Sequence, residues 1–340
     1  MHVSLATPSP GGEQGAPPVD EGPEGLLAPL DTMLDLSIVI VNWNTRVLLR
    51  QCLASIKEDV GALHVELIVV DNASRDDSVD MVWREFPDVR LLVNARNVGF
   101  ARANNQAMRV AHGRYVMLLN SDTIVRLGAL PAMVRYMDGH PAVGALGPRL
   151  LNGDGTVQPS AHPFPDVARD TLRIAGASTW SLLRRLSRRP SSGAAAPASA
   201  RTGPVDWLVG ACLVVRREAI EGAGVLDEGY FFGNEEVDLA LRLRQQGWRN
   251  VYLDEAEVVH LGSQSWLHMT PTRVVWFYTG RLRYFRLHYS PWQRLIQRLA
   301  IAAVALSHII PLLARRRRSS DDQKRLSAFA QVLARAVADR

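Results

Sequence analysis

Residues 115–123 read YVMLLNSDT. Five consecutive apolar or aromatic side chains describe a strand buried on both faces, and the run stops abruptly in an amide, a hydroxyl and a carboxylate. Three other segments repeat the pattern. SIVIVNW (37–43) closes on Asn42 and Asn44, ELIVVD (66–71) on Asp71 and Asn72, and VRLLVN (89–94) on Asn94 and Asn97. Between them, residues 46–57, 76–86 and 100–111 carry apolar side chains at helical spacing, as in Val47, Leu48, Cys52, Leu53 and Ile56. Strands that are apolar throughout, each followed by a helix, predict an α/β domain with a mostly parallel sheet covered on both faces. Ligands of such sheets lie just beyond the carboxyl ends of the strands. One polar ending is a helix cap; four in register predict a shared crevice.

The rest of the chain bounds this domain. Residues 1–34 are rich in Pro, Gly and Glu and read as a disordered tail. The domain is expected over 35–268, with a small-residue, Pro- and Ser-rich insertion at 187–204 read as flexible. Beyond the insertion, 205–217 reads as a buried strand, 235–247 as a helix stopped by Gly247, and 250–260 as a strand.

Residues 269–340 form a helical region dense in arginine and aromatics. Its apolar stretch 299–314 spans 16 residues before Arg315–Arg318, short of the ~20 that cross a bilayer. An interfacial helix on an anionic membrane surface is expected, with packing on the domain itself or on a second copy of the chain, a homo-oligomer, as the alternative.

At 340 residues, 47% hydrophobic and 21% charged, the chain is globular in type, and its formal charge of +5 comes almost wholly from arginine. No zinc spacing, RNA-binding aromatic signature or helix-turn-helix pattern accompanies that charge, so nucleic acid is not an expected partner. Cys52 and Cys212 read as small buried hydrophobes suited to a reducing cytoplasm, and nothing at the amino terminus reads as an export signal.

Asp122, emerging at a strand end beside a short Ser, suits a hard divalent cation held together with a diphosphate. Asp71 is placed to accept the imide hydrogen of a pyrimidine ring, because Ser74, Asp76 and Asp77 lie nearer the following helix and are the better caps. Asn97 and Gly99 precede a helix whose free amides favour an anion, and Gly99 admits a close backbone approach. Neither GxxxxGK[ST] nor a GxGxxG after the first strand occurs, which removes support for a Walker loop or a nicotinamide dehydrogenase.

SIVIVNWN, VVDNASRDDS, NVGFARANN, LLNSDT, WLVGACLVVRR, LDEGYFFGNEEVDLALR and VVHLGSQS, in this order, resemble the family 2 glycosyltransferases of the GT-A fold. The likeness is greatest to the rhamnosyltransferase-like branch that builds bacterial surface polysaccharides, and it runs over residues 36–265. It implies an inverting transfer from a nucleotide-diphosphate sugar, such as dTDP-rhamnose, to a lipid-linked or polysaccharide acceptor at the inner face of the cell membrane.

By the same resemblance, Asn42, Asn44, Asp71, Asn97, Gly99 and Asn120 lie on the donor side. Asp122 matches the metal-binding carboxylate of the Asp-x-Asp motif, with Asn120 in place of the first Asp, and His260 completes the site for Mg2+ or Mn2+. Trp207, Gly210, Ala211 and Asp227 fall on the acceptor side.

The family's base is the Asp of a Glu-Asp pair, and Glu236 occupies that position. Its side chain reaches about 1.5 Å further than Asp, so Glu235 and Asp238 stand as rivals. Glu235 and Asp238 lie one turn apart on neighbouring faces, while Glu236 points elsewhere. A sugar-nucleotide pyrophosphorylase would begin with a Gly- and Arg-rich loop absent here, and a processive synthase would show Gln-x-x-Arg-Trp where this chain has QQGWR (245–249). The remaining alternative is a non-catalytic nucleotide-sugar-binding protein, favoured by Glu236 in place of Asp.

Overall fold

Strand β1 (Leu36–Asn42) is buried along its whole length, and its period-two alternation divides it between two cores. Leu36, Ile38 and Ile40 face one cluster, Val39 and Val41 the other. The computed structural model describes residues 27–31, 33–167, 201–263, 270–315 and 318–338. In it, β1 lies between β2 (Val65–Asp71) and the strand predicted from YVMLLN, β4 (Tyr115–Asn120), parallel to both; β3 (Arg90–Val93) continues the parallel set beyond β2.

The second half of the sheet is mixed. From β4 outward the order is β11 (Cys212–Arg216), β6 (Val143–Leu151), β12 (Arg249–His260) and β5 (Thr123–Val125). β11 runs antiparallel to both of its neighbours, β12 is parallel to β6, and β5 is antiparallel to β12. Short strands β7 (Val157–Gln158) and β9 (Gly203–Val205) join β6 and β12, and β8 (Ala161–His162) pairs with β10 (Trp207–Leu208).

Helices α1 (Arg46–Asp59), α2 (Ser78–Glu85) and α4 (Ala129–Gly139) cover one face of the sheet. The other is covered by α3 (Phe100–Arg109), α5 (Arg217–Ala223) and α6 (Glu235–Gln245).

Three differences from the sequence reading have physical causes. Residues 27–31 are not a loose tail: Ala28 N donates to Arg109 O at 2.8 Å and Asp31 N to His112 O at 3.0 Å. Arg217, 3% exposed, fastens this segment by donating to the carbonyls of Ala28, Ala111 and Gly113. The strand expected over 205–217 is broken at 209–211, leaving β10 and β11, and β9 begins inside the stretch assigned to the insertion; residues 187–200 of that insertion lie outside the described residues.

The third concerns the C-terminal region, where α7 (Pro271–His288), α8 (Pro291–Ala314) and α9 (Ser320–Val337) pack around Val275, Ile301, Ala305, Ile309, Ala328, Val332 and Ala336. The helix counted from Leu299 begins eight residues earlier, at a Ser290–Gln293 capping box followed by Pro291. By length and composition its 24 residues suffice to cross a membrane.

Candidate active site

The ends of β1, β2 and β4 are tied together by polar side chains. Asn42 Nδ2 donates to Asp71 Oδ2 (2.9 Å) and Ser74 Oγ (3.0 Å), Ser74 N donates to Asp71 Oδ1 (2.8 Å), and Thr45 Oγ1 joins Asn42 Oδ1 (2.6 Å) to Ser121 Oγ (2.8 Å). Asn44 adopts a left-handed backbone, φ 55°, and accepts from Arg75 N.

Asp71 is tied into this network. It is 1% exposed and each oxygen holds a hydrogen bond, so it shapes the turn after β2. Asp76 is the cap, accepting from Arg46 N at the start of α1 and from Ser78 N at the start of α2.

Beyond β3, Asn97 Oδ1 accepts from Gly99 N and Asn72 Nδ2, while Asn72 Oδ1 accepts from Asn94 Nδ2 and Val98 N. The close approach at Gly99 is to the protein itself. With φ 93°, a Cβ there would stand 2.8 Å from Phe231 O, and that same carbonyl takes Phe100 N, the first amide of α3, at 2.7 Å. One of the amides opening this helix is thus already engaged.

Asp122 and His260, 138 positions apart in the chain, meet at the far end of the sheet. β5 and β12 pair with His260 opposite Thr123, and Leu261 N donates to Asp122 O at 2.9 Å. His260 Nε2 lies 3.4 Å from Asp122 Oδ1 and 3.5 Å from Asn120 Nδ2. On the other side of the ring, Nδ1 lies 3.2 Å from Gln158 Oε1. With Nδ1–H donating to Gln158, Nε2 turns a lone pair toward a carboxylate oxygen, and two acceptors at that separation suit a cation between or beside them.

The donor set, one carboxylate oxygen and one imidazole nitrogen, fits Mn2+ or Mg2+ with further oxygens supplied by a diphosphate. Among the described residues no third His, Cys, Asp or Glu joins the pair. Gly262 gives the carboxylate its room: a Cβ there would fall 1.8 Å from Asp122 Oδ2. Gly262→Ala is expected to swing Asp122 away, lowering kcat/KM by about tenfold to a hundredfold while the melting temperature stays near wild type; steady-state kinetics beside a thermal melt checks both.

The three carboxylates at the start of α6 have different environments. Gly233 (φ 83°) and Asn234 (φ 77°) reverse the chain and deliver Glu235 and Glu236 into the first helical turn. Asp238, 1% exposed, accepts from Arg242 Nε at 2.8 Å and contacts His288 Nε2 at 2.6 Å. These partners outweigh burial and lower its pKa. Glu235 is buried, and burial followed by the charge of Glu236 raises its pKa well above the ordinary value.

Glu236 lies beside Gly210, its Cβ 3.5 Å from where a Gly210 side chain would begin, and the next carbonyl, Ala211 O, accepts from Asn120 N at 2.9 Å. Burial pushes its pKa up to about 6, the amides opening α6 and the Arg281 charge opposing a larger rise. Oε2 of Glu236, like that of Glu235, is buried without a hydrogen-bond partner. Such an atom is ready to accept a proton from an incoming group.

The residues expected on the acceptor side separate. Gly210 and Ala211 stand between Glu236 and the end of β4. Trp207 lies in β10, its ring stacked on His162 at 4.7 Å and its Nε1 donating to Pro163 O. Asp227 is held by Arg283, Nε and Nη2 each at 2.8 Å, which fastens α7 to the loop leading into α6. A depression of about 490 Å³ bordered by His162, Asp206, Arg244 and Trp248 lies near the start of β12, at the opposite end from His260.

A family model described as "Glycosyl transferase family 2" matches residues 37–221. The chain belongs to glycosyltransferase family 2. It is 32% identical over 213 residues to N-acetylglucosaminyl-diphospho-decaprenol L-rhamnosyltransferase of Mycobacterium tuberculosis, a match covering 58% of this chain and 66% of that protein. Over 235 residues it is 28% identical to O-antigen biosynthesis protein RfbC of Myxococcus xanthus, covering 68% of this chain and 17% of the relative. The chain therefore spans less than two thirds of either.

A mannosyltransferase of Pyrobaculum calidifontis, solved with GDP-Man and Mn2+, superposes with a TM-score of 0.52 at 16% identity over 94% of this chain and 90% of its own. GalNAc-T7, solved with UDP, GalNAc and Mn2+, gives 0.56 at 14% identity over 91% and 57%. These likenesses establish the GT-A fold of the family 2 chain.

Sequence reasoning missed several residues of the site. Ser74, Thr45 and Ser121 bind the strand ends together, and Gln158 orients His260. Gln158 sits in a two-residue strand that no periodicity announces.

Proposed function

We propose that the chain is an inverting glycosyltransferase, dependent on a divalent metal, that moves rhamnose from dTDP-rhamnose to a lipid-linked acceptor in cell-envelope glycan synthesis. The observation that carries the reading is the unpartnered, ionisable Glu236 set beside the strand end from which Asp122 meets His260. Asp122 and His260 would hold the cation, whose positive charge stabilises the departing diphosphate. Glu236 takes the proton of the acceptor hydroxyl as that oxygen attacks the anomeric carbon from the face opposite the diphosphate. One displacement inverts the centre. Glu235, whose pKa burial raises, is disfavoured as a second negative charge beside the base, and the Asn42–Asp71 and Asn72–Asn97 networks hold the loops on which the nucleotide rests. The Mycobacterium tuberculosis relative supports the choice of rhamnose and of a diphospholipid acceptor.

The deciding experiment incubates the purified chain with a panel of nucleotide sugars, Mn2+ or Mg2+, and a short-chain N-acetylglucosaminyl-diphospho-prenol. Release of nucleoside diphosphate and the anomeric configuration of the product are both read. Retained configuration defeats the mechanism, and binding without turnover on any sugar would make the chain a binding protein.

The same reading places the enzyme at the cytoplasmic membrane surface. Trp292, Ile296, Leu299, Leu306, Ile310 and Leu313 form an exposed apolar stripe along α8 at three-, four- and seven-residue spacing. The expected arginine anchor is weaker than its sequence suggests, since Arg315 pairs with Asp322 and Arg318 donates to the carbonyls of Leu312 and Leu313; residues 316–317 lie outside the described set. Apolar contact then carries the attachment. Leu299→Glu with Ile310→Glu is expected to lower partition onto anionic vesicles by about tenfold or more, read by co-sedimentation; unchanged partition removes the membrane assignment.

A further inference from the structure

Phe231 and Phe232 stand beside the proposed base and remain 38% and 37% exposed, although both are large apolar side chains. They do not stand alone. Trp276 of α7 lies against Phe231 with ring centroids 4.6 Å apart and reaches Phe232 at 6.2 Å, while Phe100 meets Phe232 edge to face at 6.0 Å. Arg273, one turn before Trp276, carries its guanidinium 5.8 Å over the Phe232 ring. Among the described residues it has no carboxylate partner within salt-bridge distance.

The group is held at a defined place. A Cβ on Gly280 of α7 would fall 2.5 Å from Gly233 O, so the glycine lets the helix press onto the turn that delivers Glu235 and Glu236. Asn234 Nδ2 donates to Phe277 O at 3.4 Å and Arg283 grips Asp227, fixing the same two segments twice more. On its other side, Phe231 closes against Gly99 in the loop after β3. The aromatic surface therefore abuts the donor-side loop at one edge and leads into Glu236 within five residues of backbone at the other.

We propose that Phe231, Phe232 and Trp276, with Arg273 at their edge, form the acceptor subsite for a sugar that carries an anionic diphosphate aglycone. The inference deepens the glycosyl-transfer reading and rests on it. An aromatic face is negative at its centre and takes the C–H face of a pyranose ring, fixing its orientation so that one hydroxyl points at Glu236. A guanidinium is a forked donor matched to phosphate oxygens, and one poised over an aromatic ring is already partly ordered. A neutral polysaccharide end would use the rings and leave Arg273 idle. The subsite thus predicts discrimination by the charge next to the sugar as well as by the sugar.

The test uses the full chain and two probes, a short-chain N-acetylglucosaminyl-diphospho-prenol and octyl N-acetylglucosaminide, which has the same sugar on an uncharged aglycone. Trp276→Leu is expected to raise the acceptor KM for both probes by about tenfold, and Arg273→Gln to raise it by about tenfold for the diphosphate probe alone. In both variants kcat, nucleoside diphosphate affinity and melting temperature stay near wild type. If wild type turns over and Trp276→Leu leaves both acceptor KM values unchanged, or Arg273→Gln shifts the two probes equally, the subsite is wrong while the transferase reading stands. Failure of wild type to release nucleoside diphosphate with any donor overturns both.

Discussion

Glu236→Gln is expected to lower kcat by about a thousandfold while leaving nucleoside diphosphate affinity unchanged, because the amide keeps the shape of the side chain and loses the proton acceptor. Wild-type kcat/KM is expected to rise with unit slope as pH increases and to level off above about 6, the value to which burial pushes Glu236. The variant loses this limb. Stability follows the opposite direction. The ordinary value for a Glu carboxyl is 4.5 and the folded value is higher, so the folded state prefers the protonated form. That contribution is fully present below about 4.5 and is lost as pH rises through 6. Glu236→Gln removes the loss, so its melting temperature should exceed that of wild type at pH 7.5 and match it at pH 4.

Glu235→Gln is the discriminating companion. Burial and the neighbouring Glu236 charge raise the pKa of Glu235 and favour its protonated form, so an amide at this position is the milder change and activity should persist. Loss of turnover in Glu235→Gln, with turnover retained in Glu236→Gln, would transfer the role of base to Glu235. Asp238→Asn belongs to another class, since it breaks the contacts to Arg242 and His288 that join α6 to α7.

Much of the fold was legible because it depends on local pattern. The apolar runs of β1, β2 and β4 appear where their periodicity places them, and the intervening helices begin and end within a few residues of the predicted positions. The mixed half of the sheet was less legible. β11 lies between β4 and β6 because of pairing between segments remote in sequence, which no window of residues encodes. The start of α8 was missed for a related reason: hydropathy begins at Leu299, whereas the helix is nucleated by the Ser290–Gln293 cap.

Site residues divide in the same way. Asp122 was readable as a carboxylate at a strand end and His260 only through the family resemblance, and their meeting depends on β5 folding back on β12. How far Asp71 is exposed was not readable, because its neighbours in space, Asn42 and Ser74, decide it. The choice between Glu235 and Glu236 needed the tertiary environment, since adjacent identical side chains differ only in what surrounds them. The aromatic surface had a sequence signal in its two successive phenylalanines, but its completing Trp276 comes from a helix some 45 residues on.

Asp122→Asn is expected to lower kcat/KM by a hundredfold to a thousandfold, about 3–4 kcal/mol of lost charge stabilisation, and to weaken Mn2+ binding measured in the presence of nucleoside diphosphate. Geometry makes this a clean test. The backbone of residue 122 is held by the bond from Leu261 N, and its side chain occupies the space that Gly262 leaves open. Asparagine is nearly the same size, so the strand end and His260 need not move and the melting temperature should remain near wild type.

His260→Gln should cost less, about tenfold, because it removes a neutral donor and leaves the anionic one. The order of the two effects is itself diagnostic. A pair that served only to fasten β5 to β12 would lose stability in both variants and metal affinity in neither, whereas a cation site loses affinity in both and most where the charge is removed. Wild-type turnover and Mn2+ affinity in Asp122→Asn would show that this corner of the sheet is structural.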